Sequence, residues 1–182
     1  AGFFLKLLNE HYGNVYNEKE LEELAMKVGS DVPFFIKNKT AKVGGKGNKV
    51  ELVENNLKDS LILVKPLGFG VSTKDAYNSF DELDEVRYAN FEKIVECLRN
   101  DNRKDLEKYI ENGLEQGISE RNADIKMFKA ILNSVVPGKK FFMSGSGSTY
   151  YTFVTEIERS QIETRLRTFV DNVKIIISKT IN

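Results

Sequence analysis

Cysteine, histidine and proline are all scarce in this 182-residue sequence, which has one Cys, one His and three Pro. The single Cys97 excludes an internal disulfide framework and a multi-cysteine zinc site, which suits a reducing compartment and makes the cytoplasm the expected location. His11 has no second histidine at metal-ligand spacing, so a zinc enzyme or a Ser-His-Asp hydrolase finds no support. Cys97 adjoins the apolar stripe of its helix and reads as a packing thiol rather than a nucleophile. No apolar run approaches the roughly 18 to 20 residues needed to span a bilayer, and no basic segment followed by an apolar run and a cleavage site opens the chain. Nor is there a surplus of charge: 27 Lys and Arg balance 27 Asp and Glu. Without a global positive field, nucleic acid and anionic membranes are not expected partners.

What is present is a globular composition, 41% hydrophobic and 30% charged, long enough to bury a hydrophobic core. The chain opens with Ala1-Gly2-Phe3-Phe4-Leu5, inside an apolar pattern and without an initiator Met or a capping residue, and is expected to be truncated. Phe4, Leu5, Leu8 and Tyr12 at helical spacing predict a helix over 2–12 ending at Gly13. Asn17 and Glu20 have capping-box spacing ahead of an apolar stripe of Leu21, Leu24, Ala25 and Val28, a second helix stopped by Gly29. Pro33 restricts Val32, so residues 30–36 are expected to form an extended turn into an apolar run. Gly44 to Asn48 separates two alternating segments and predicts a strand hairpin. Past a boundary at residues 55–59, Leu61 to Val64 reads as a buried strand closed by Pro66, and a loop leads to a short helix from Thr73. Further helices are expected over 88–98, 103–112, 124–134 and about 162–170, with strands at 141–143, 150–154 and 173–177. Their order predicts an α+β layer with helices on one side of a mainly antiparallel sheet, compatible with a ferredoxin-like split βαβ unit.

Two segments could carry chemistry. Gly29-Ser30-Asp31-Val32-Pro33-Phe34-Phe35 places a carboxylate at a turn, where it could accept or orient a hydroxyl proton in phosphoryl transfer. On pattern alone, an Asp31 that simply caps its own turn outweighs the catalytic reading. Met143-Ser144-Gly145-Ser146-Gly147-Ser148-Thr149 joins two apolar strands, and successive amides in such a turn can form an anion-binding concavity. A ligand-free hairpin turn explains it equally well. It is neither a Walker loop nor a hydrolase elbow, and Gly44-Gly45-Lys46-Gly47 reads as a hairpin loop only.

Taken in order, these two segments with Val64-Lys65-Pro66, Gly70-Val71-Ser72-Thr73 and Asn112-Gly113-Leu114-Glu115 between them resemble the GHMP family of small-molecule kinases. Within it they are most similar to the branch that phosphorylates a cytidine-diphosphate-linked methylerythritol on its 2-hydroxyl, on the route to isoprenoid precursors. The resemblance implies residues 1–56 as the remnant of an N-terminal kinase domain and 57–182 as a ferredoxin-like C-terminal GHMP domain. It implies Asp31 as the catalytic aspartate, Gly145, Ser146 and Gly147 as the C-terminal glycine-rich motif beside the phosphate region, and ATP with Mg²⁺ as cofactors. In relatives a Gly/Ser-rich loop that wraps the ATP phosphates and a catalytic lysine lie upstream of the helix that begins here near Ala1. The 182 residues alone are therefore expected to be inactive and to hold no tightly bound cofactor. Position 48 is Asn where relatives often carry Glu, and no role passes to it. The apolar faces of residues 1–56, with Phe3, Phe4, Phe34 and Phe35, are expected to pack on the second domain or in a homo-oligomer. The rival readings are another GHMP kinase, of homoserine or mevalonate-pathway type, and a non-catalytic α+β binding or dimerisation module.

Overall fold

The computed structural model of the chain describes residues 1–180, so the last two positions of the expected 57–182 domain lie outside the described residues. The chain folds into two compact units, residues 1–55 and 56–180.

The first unit runs α1 (Gly2–His11), α2 (Glu18–Val28), α3 (Phe34–Lys37), β1 (Ala41–Gly44) and β2 (Lys49–Leu52). The capping box forms as the spacing requires: Asn17 Oδ1 accepts from the Glu20 amide at 3.1 Å, and Glu20 Oε2 accepts from the Asn17 amide at 2.8 Å. Two of the orphan donors at the start of α2 are thereby satisfied. Leu21 and Ala25 of α2 meet Ile36 of α3 in a small core flanked by Leu5 and Val32. Residues 30–36 are not extended. Pro33 takes helical angles (φ −59°, ψ −38°) and opens α3, because a proline at a helix start gives up an amide that has no intrahelical partner anyway. Phe3 and Phe4 of α1 and Phe35 of α3 are 58%, 62% and 47% exposed in the single chain. What α1 buries besides Gly2 is Asn9, whose amide group donates to the Tyr16 carbonyl at 2.8 Å and accepts from the Tyr16 amide at 2.9 Å. The hairpin forms as expected, with Val43 opposite Val50 and Gly44 opposite Lys49.

The second unit contains β3 (Ser60–Pro66), α4 (Thr73–Asp81), α5 (Phe91–Arg99), α6 (Arg103–Tyr109), α7 (Gly113–Arg121), α8 (Ala123–Val135), β4 (Phe142–Met143), β5 (Tyr150–Val154), α9 (Glu156–Phe169) and β6 (Val173–Lys179). The four strands are ordered β4-β5-β3-β6, and each adjacent pair is antiparallel. That is the ferredoxin-like arrangement expected from the element order. Strand alternation divides the side chains between two faces. Ile62, Val64, Tyr150 and Val154 pack with Ile118, Phe128, Leu132, Ile162 and Leu166 from α7, α8 and α9. On the opposite face Leu61, Tyr151 and Phe153 meet Cys97, Leu98 and Leu106 from α5 and α6. Helices thus cover part of the second face as well as the first.

Helix α7 has no counterpart among the expected elements. The fold uses Gly117 for contact: a Cβ there would lie 2.6 Å from the Ser79 carbonyl group and the Phe80 nitrogen. Only a glycine lets α7 approach the backbone of α4 so closely. Helix α5 starts at Phe91 because Asn90 caps it, accepting from the Lys93 amide at 3.1 Å, which leaves Tyr88 outside the helix and exposed.

Candidate functional site

Asp31 stands in the first unit, in the tight turn between α2 and α3, where the Val32 amide donates to the Gly29 carbonyl at 3.1 Å. Its side chain is exposed and makes no hydrogen bond or ion pair among the described residues. The alternative in which Asp31 caps its own turn is therefore not realised. The tip of the β1–β2 hairpin backs this turn: Gly47 (φ +90°) lies so close to the Ser30 carbonyl that a side chain at 47 would collide with it. The hairpin loop thus presses on the backbone that presents the carboxylate.

Gly145, Ser146 and Gly147 form the β4–β5 turn of the second unit. The Ser144 amide donates to the Thr149 carbonyl at 2.9 Å and the Gly147 amide to the Ser144 carbonyl at 3.0 Å. Gly145 (φ +56°) and Gly147 (φ +87°) occupy left-handed conformations that glycine adopts at little cost. The amides of Gly145 and Ser146 find no acceptor among the described residues, the open geometry an anion would need. Ser146 and Thr73, the first residue of α4, share a hydroxyl contact of 3.1 Å. The buried Ser148 donates to the Phe69 carbonyl at 3.5 Å.

Three features of this site escape sequence reasoning. Asn112 donates from Nδ2 to the carbonyls of Met143 (2.8 Å) and Gly145 (2.9 Å). Glu115, buried, accepts from the Met143 amide at 3.2 Å and pairs with Lys129 at 2.6 Å. The third feature is an aromatic cavity of about 610 Å³ that adjoins Ser144 and Gly145, with Tyr77, Phe80, Tyr88, Phe91 and Tyr151 in its walls and Arg87 among them. Arg87 lies 3.6 Å from Glu111. A larger cavity of about 690 Å³ is lined mainly by charged side chains of both signs, among them Glu107, Lys108, Glu120, Lys126 and Lys140, with Phe141 and Phe142 as its aromatic residues. Burial, with the nearby Glu115 charge, pushes the Tyr151 phenol up to about 12. Burial, with the nearby Glu115 charge, raises the Tyr150 phenol as well.

Among the described residues no three His, Cys, Asp or Glu side chains converge in a way that could hold a metal ion. No helix among them is long and apolar enough to cross a membrane.

No family model matches this chain. It is 78% identical over all 182 residues to the 4-diphosphocytidyl-2-C-methyl-D-erythritol kinase of Fusobacterium nucleatum, and it spans 62% of that protein's length. It is 32% identical over 168 residues to the 4-diphosphocytidyl-2-C-methyl-D-erythritol kinase of Clostridium botulinum strain Loch Maree, covering 57% of it. Among solved structures it superposes on a 4-(cytidine 5'-diphospho)-2C-methyl-D-erythritol kinase with a TM-score of 0.76 at 21% identity, over 100% of this chain and 63% of the other. The chain therefore spans somewhat less than two thirds of the proteins it matches, and over that span it has the fold of that solved kinase.

Proposed function

We propose, for a chain homologous over its whole length to the 4-diphosphocytidyl-2-C-methyl-D-erythritol kinases, that the protein carrying it transfers a phosphoryl group from ATP to the 2-hydroxyl of 4-diphosphocytidyl-2-C-methyl-D-erythritol. The step belongs to isoprenoid precursor biosynthesis, and the cytoplasm is its place. The observation that carries this reading is the 78% identity over all 182 residues.

The geometry supports it at two places. A carboxylate that takes or orients a hydroxyl proton must be free of competing donors, and Asp31 is exposed and unpartnered among the described residues. An aromatic cavity joined to a turn with open amides suits a ligand with a planar base at one end and phosphates next to it. A cytidine diphosphate group has that form, so we assign the cavity to the base and the Gly145–Gly147 turn to phosphate oxygens. Phosphoryl transfer asks mainly for alignment and charge compensation, which such groups supply without covalent chemistry. With no carboxylate cage among the described residues, Mg²⁺ would be held chiefly by nucleotide phosphates, as this cation commonly is. Residues 1–56 serve in this reading as part of the kinase domain and 57–182 as the C-terminal domain. The exposed apolar face of α1 is where a further segment or a second copy would pack.

The test is turnover by the full-length gene product, with ATP and each of 4-diphosphocytidyl-2-C-methyl-D-erythritol, homoserine and mevalonate. Only the first should be phosphorylated; turnover of either other alcohol in its place would overturn the reading. A polypeptide of the 182 residues alone is expected to show no activity, since neither of its glycine-rich segments is a loop of the kind that wraps ATP phosphates.

A further inference from the structure

We infer that Asn112 and Glu115 are positioning residues, which clamp the backbone of Met143 to Gly145 from the start of α7 so that the Gly145 and Ser146 amides stay open to an anionic ligand. The kinase reading enters only in the kinetic part of the test below; the clamp itself stands on geometry.

The Asn112 side chain uses every polar group it has. Its Oδ1 caps α7 by accepting from the Glu115 amide at 3.2 Å, and its Nδ2 donates to the carbonyls of Met143 and Gly145 at 2.8 and 2.9 Å. A side chain that only capped the helix would need the oxygen alone. Glu115 adds the complementary bond. Its carboxylate sits in a buried position, where a charge is costly unless it is paired, and it is satisfied by the Met143 amide on one oxygen and Lys129 of α8 on the other. The amide and carbonyl of Met143 are thus both held from α7. Gly145 is fixed through its carbonyl, which leaves its own N–H unengaged. On the far side of the turn the Thr73 hydroxyl meets Ser146, so α4 and α7, packed together at Gly117 and Ser79, grip the turn between them.

The variant that separates capping from clamping is Asn112→Asp. Aspartate caps a helix as well as asparagine does, but offers the two carbonyls a negative oxygen in place of two N–H donors. In the 182-residue chain, helix content by circular dichroism should match the parent. Hydrogen exchange of the Ser144 and Gly147 amides should quicken at least about tenfold, and the resonances of Gly145 and Ser146 should move. Lowering the pH toward 4 should partly restore both, because protonating the introduced carboxylate returns one donor to the site. Should this variant lose helix content, Asn112→Ser, which keeps a capping oxygen without the charge, is judged by the same exchange criterion. In the full-length gene product, Asn112→Asp and Glu115→Ala should lower kcat/KM about ten- to a hundredfold, the scale expected when a binding group is displaced by about 1 Å. Glu115→Gln, whose amide oxygen can still accept from Met143, should recover most of that loss. Parent-like exchange at Ser144 and Gly147 in a folded Asn112→Asp variant would overturn the inference, whatever the enzyme turns over. Altered exchange in a protein that phosphorylates none of the three alcohols would leave the clamp standing and remove the kinase reading.

Discussion

Replacing Gly117 with alanine should destabilise the second unit, against the usual gain from removing a glycine from a helix. Taken alone, Gly to Ala within a helix is worth about 0.8–1.0 kcal/mol in favour of the variant. Here the new Cβ would fall 2.6 Å from three backbone atoms, the carbonyl carbon and oxygen of Ser79 and the nitrogen of Phe80. Ordinary contact between such atoms begins near about 3.4 Å, so the axes of α4 and α7 would have to separate by most of an ångström. Overpacking of this kind costs about 1–3 kcal/mol, and the upper end applies when backbone rather than a side chain must move. The net is a loss of about 1–2 kcal/mol, or a fall of roughly 3–10 °C in Tm for a unit of this size. Gly113 supplies the internal comparison. An alanine there meets the Phe80 ring at 2.6 Å, and a ring edge can rotate away, so Gly113→Ala should cost less. Thermal melts followed by circular dichroism of parent and both variants decide the matter. A Tm for Gly117→Ala equal to or above the parent would show that the interface yields freely and that the reasoning is wrong.

Asp31→Asn should leave Tm within about 1 °C, because the side chain has no partner to lose among the described residues, yet lower kcat of the full-length protein by about 10²–10⁴ if it takes or orients the hydroxyl proton; unchanged kcat would dismiss that role. Glu158 anchors a charge network, with Arg103 at 3.1 Å and Lys139 at 2.8 Å. Burial alone would raise its carboxyl, but the hydrogen bonds from Lys139, the Thr155 amide and Arg103 hold it down to about 2. Its stabilisation is therefore complete above the usual glutamate range near pH 4.5 and lost as the pH falls toward 2. Allowing for screening at a side chain 35% exposed, Glu158→Gln should cost about 1 kcal/mol at pH 7 and flatten the stability profile between about pH 5 and 2; a profile parallel to the parent's would refute the assignment. With the Tyr151 phenol pushed up to about 12, an ultraviolet pH titration of the folded chain should lose one late-titrating tyrosine in Tyr151→Phe, and an unchanged high-pH limb would count against its burial.

What the sequence made legible were features whose cause is local. The capping box at Asn17 and Glu20, the Gly44–Asn48 hairpin and the β3 apolar run each carry their reason within a few residues, and all formed as read. Other features depend on what the fold brings together. The α1 stripe formed its helix, but periodicity reports which side of a helix is apolar and not what covers it, and Phe3 and Phe4 are exposed in the single chain. Val32-Pro33 argued for extended chain, while Pro33 serves as the start of a four-residue helix. Asp31 and the Gly145–Gly147 turn stand out as candidates in the sequence only through order and spacing that resemble a known family; the aromatic cavity does not, because its walls are separated in sequence and meet only in the fold.

Helix α7 shows why the remainder could not be read from pattern alone. Asn112 and Glu115 repeat the spacing of Asn17 and Glu20, and that signal would have located the helix start despite the glycines. It would have suggested the wrong use for the glutamate. Glu20 turns back to the amide of its own cap residue at 2.8 Å, on an exposed helix terminus with water around it. Glu115, at the same offset, instead reaches the Met143 amide at 3.2 Å, because β4 and α8 enclose it and bring a donor and Lys129 within range. Two identical local patterns thus part company according to what the fold places beside them. Burial is the property that separates them, since an enclosed carboxylate must find partners beyond its own turn whereas an exposed one has water. It follows that removing the charge at Glu20 should affect little beyond its helix terminus, at the scale of about 1 kcal/mol for a cap, whereas Glu115→Ala should leave the Met143 amide unsatisfied and disturb the turn that α7 does not itself contain.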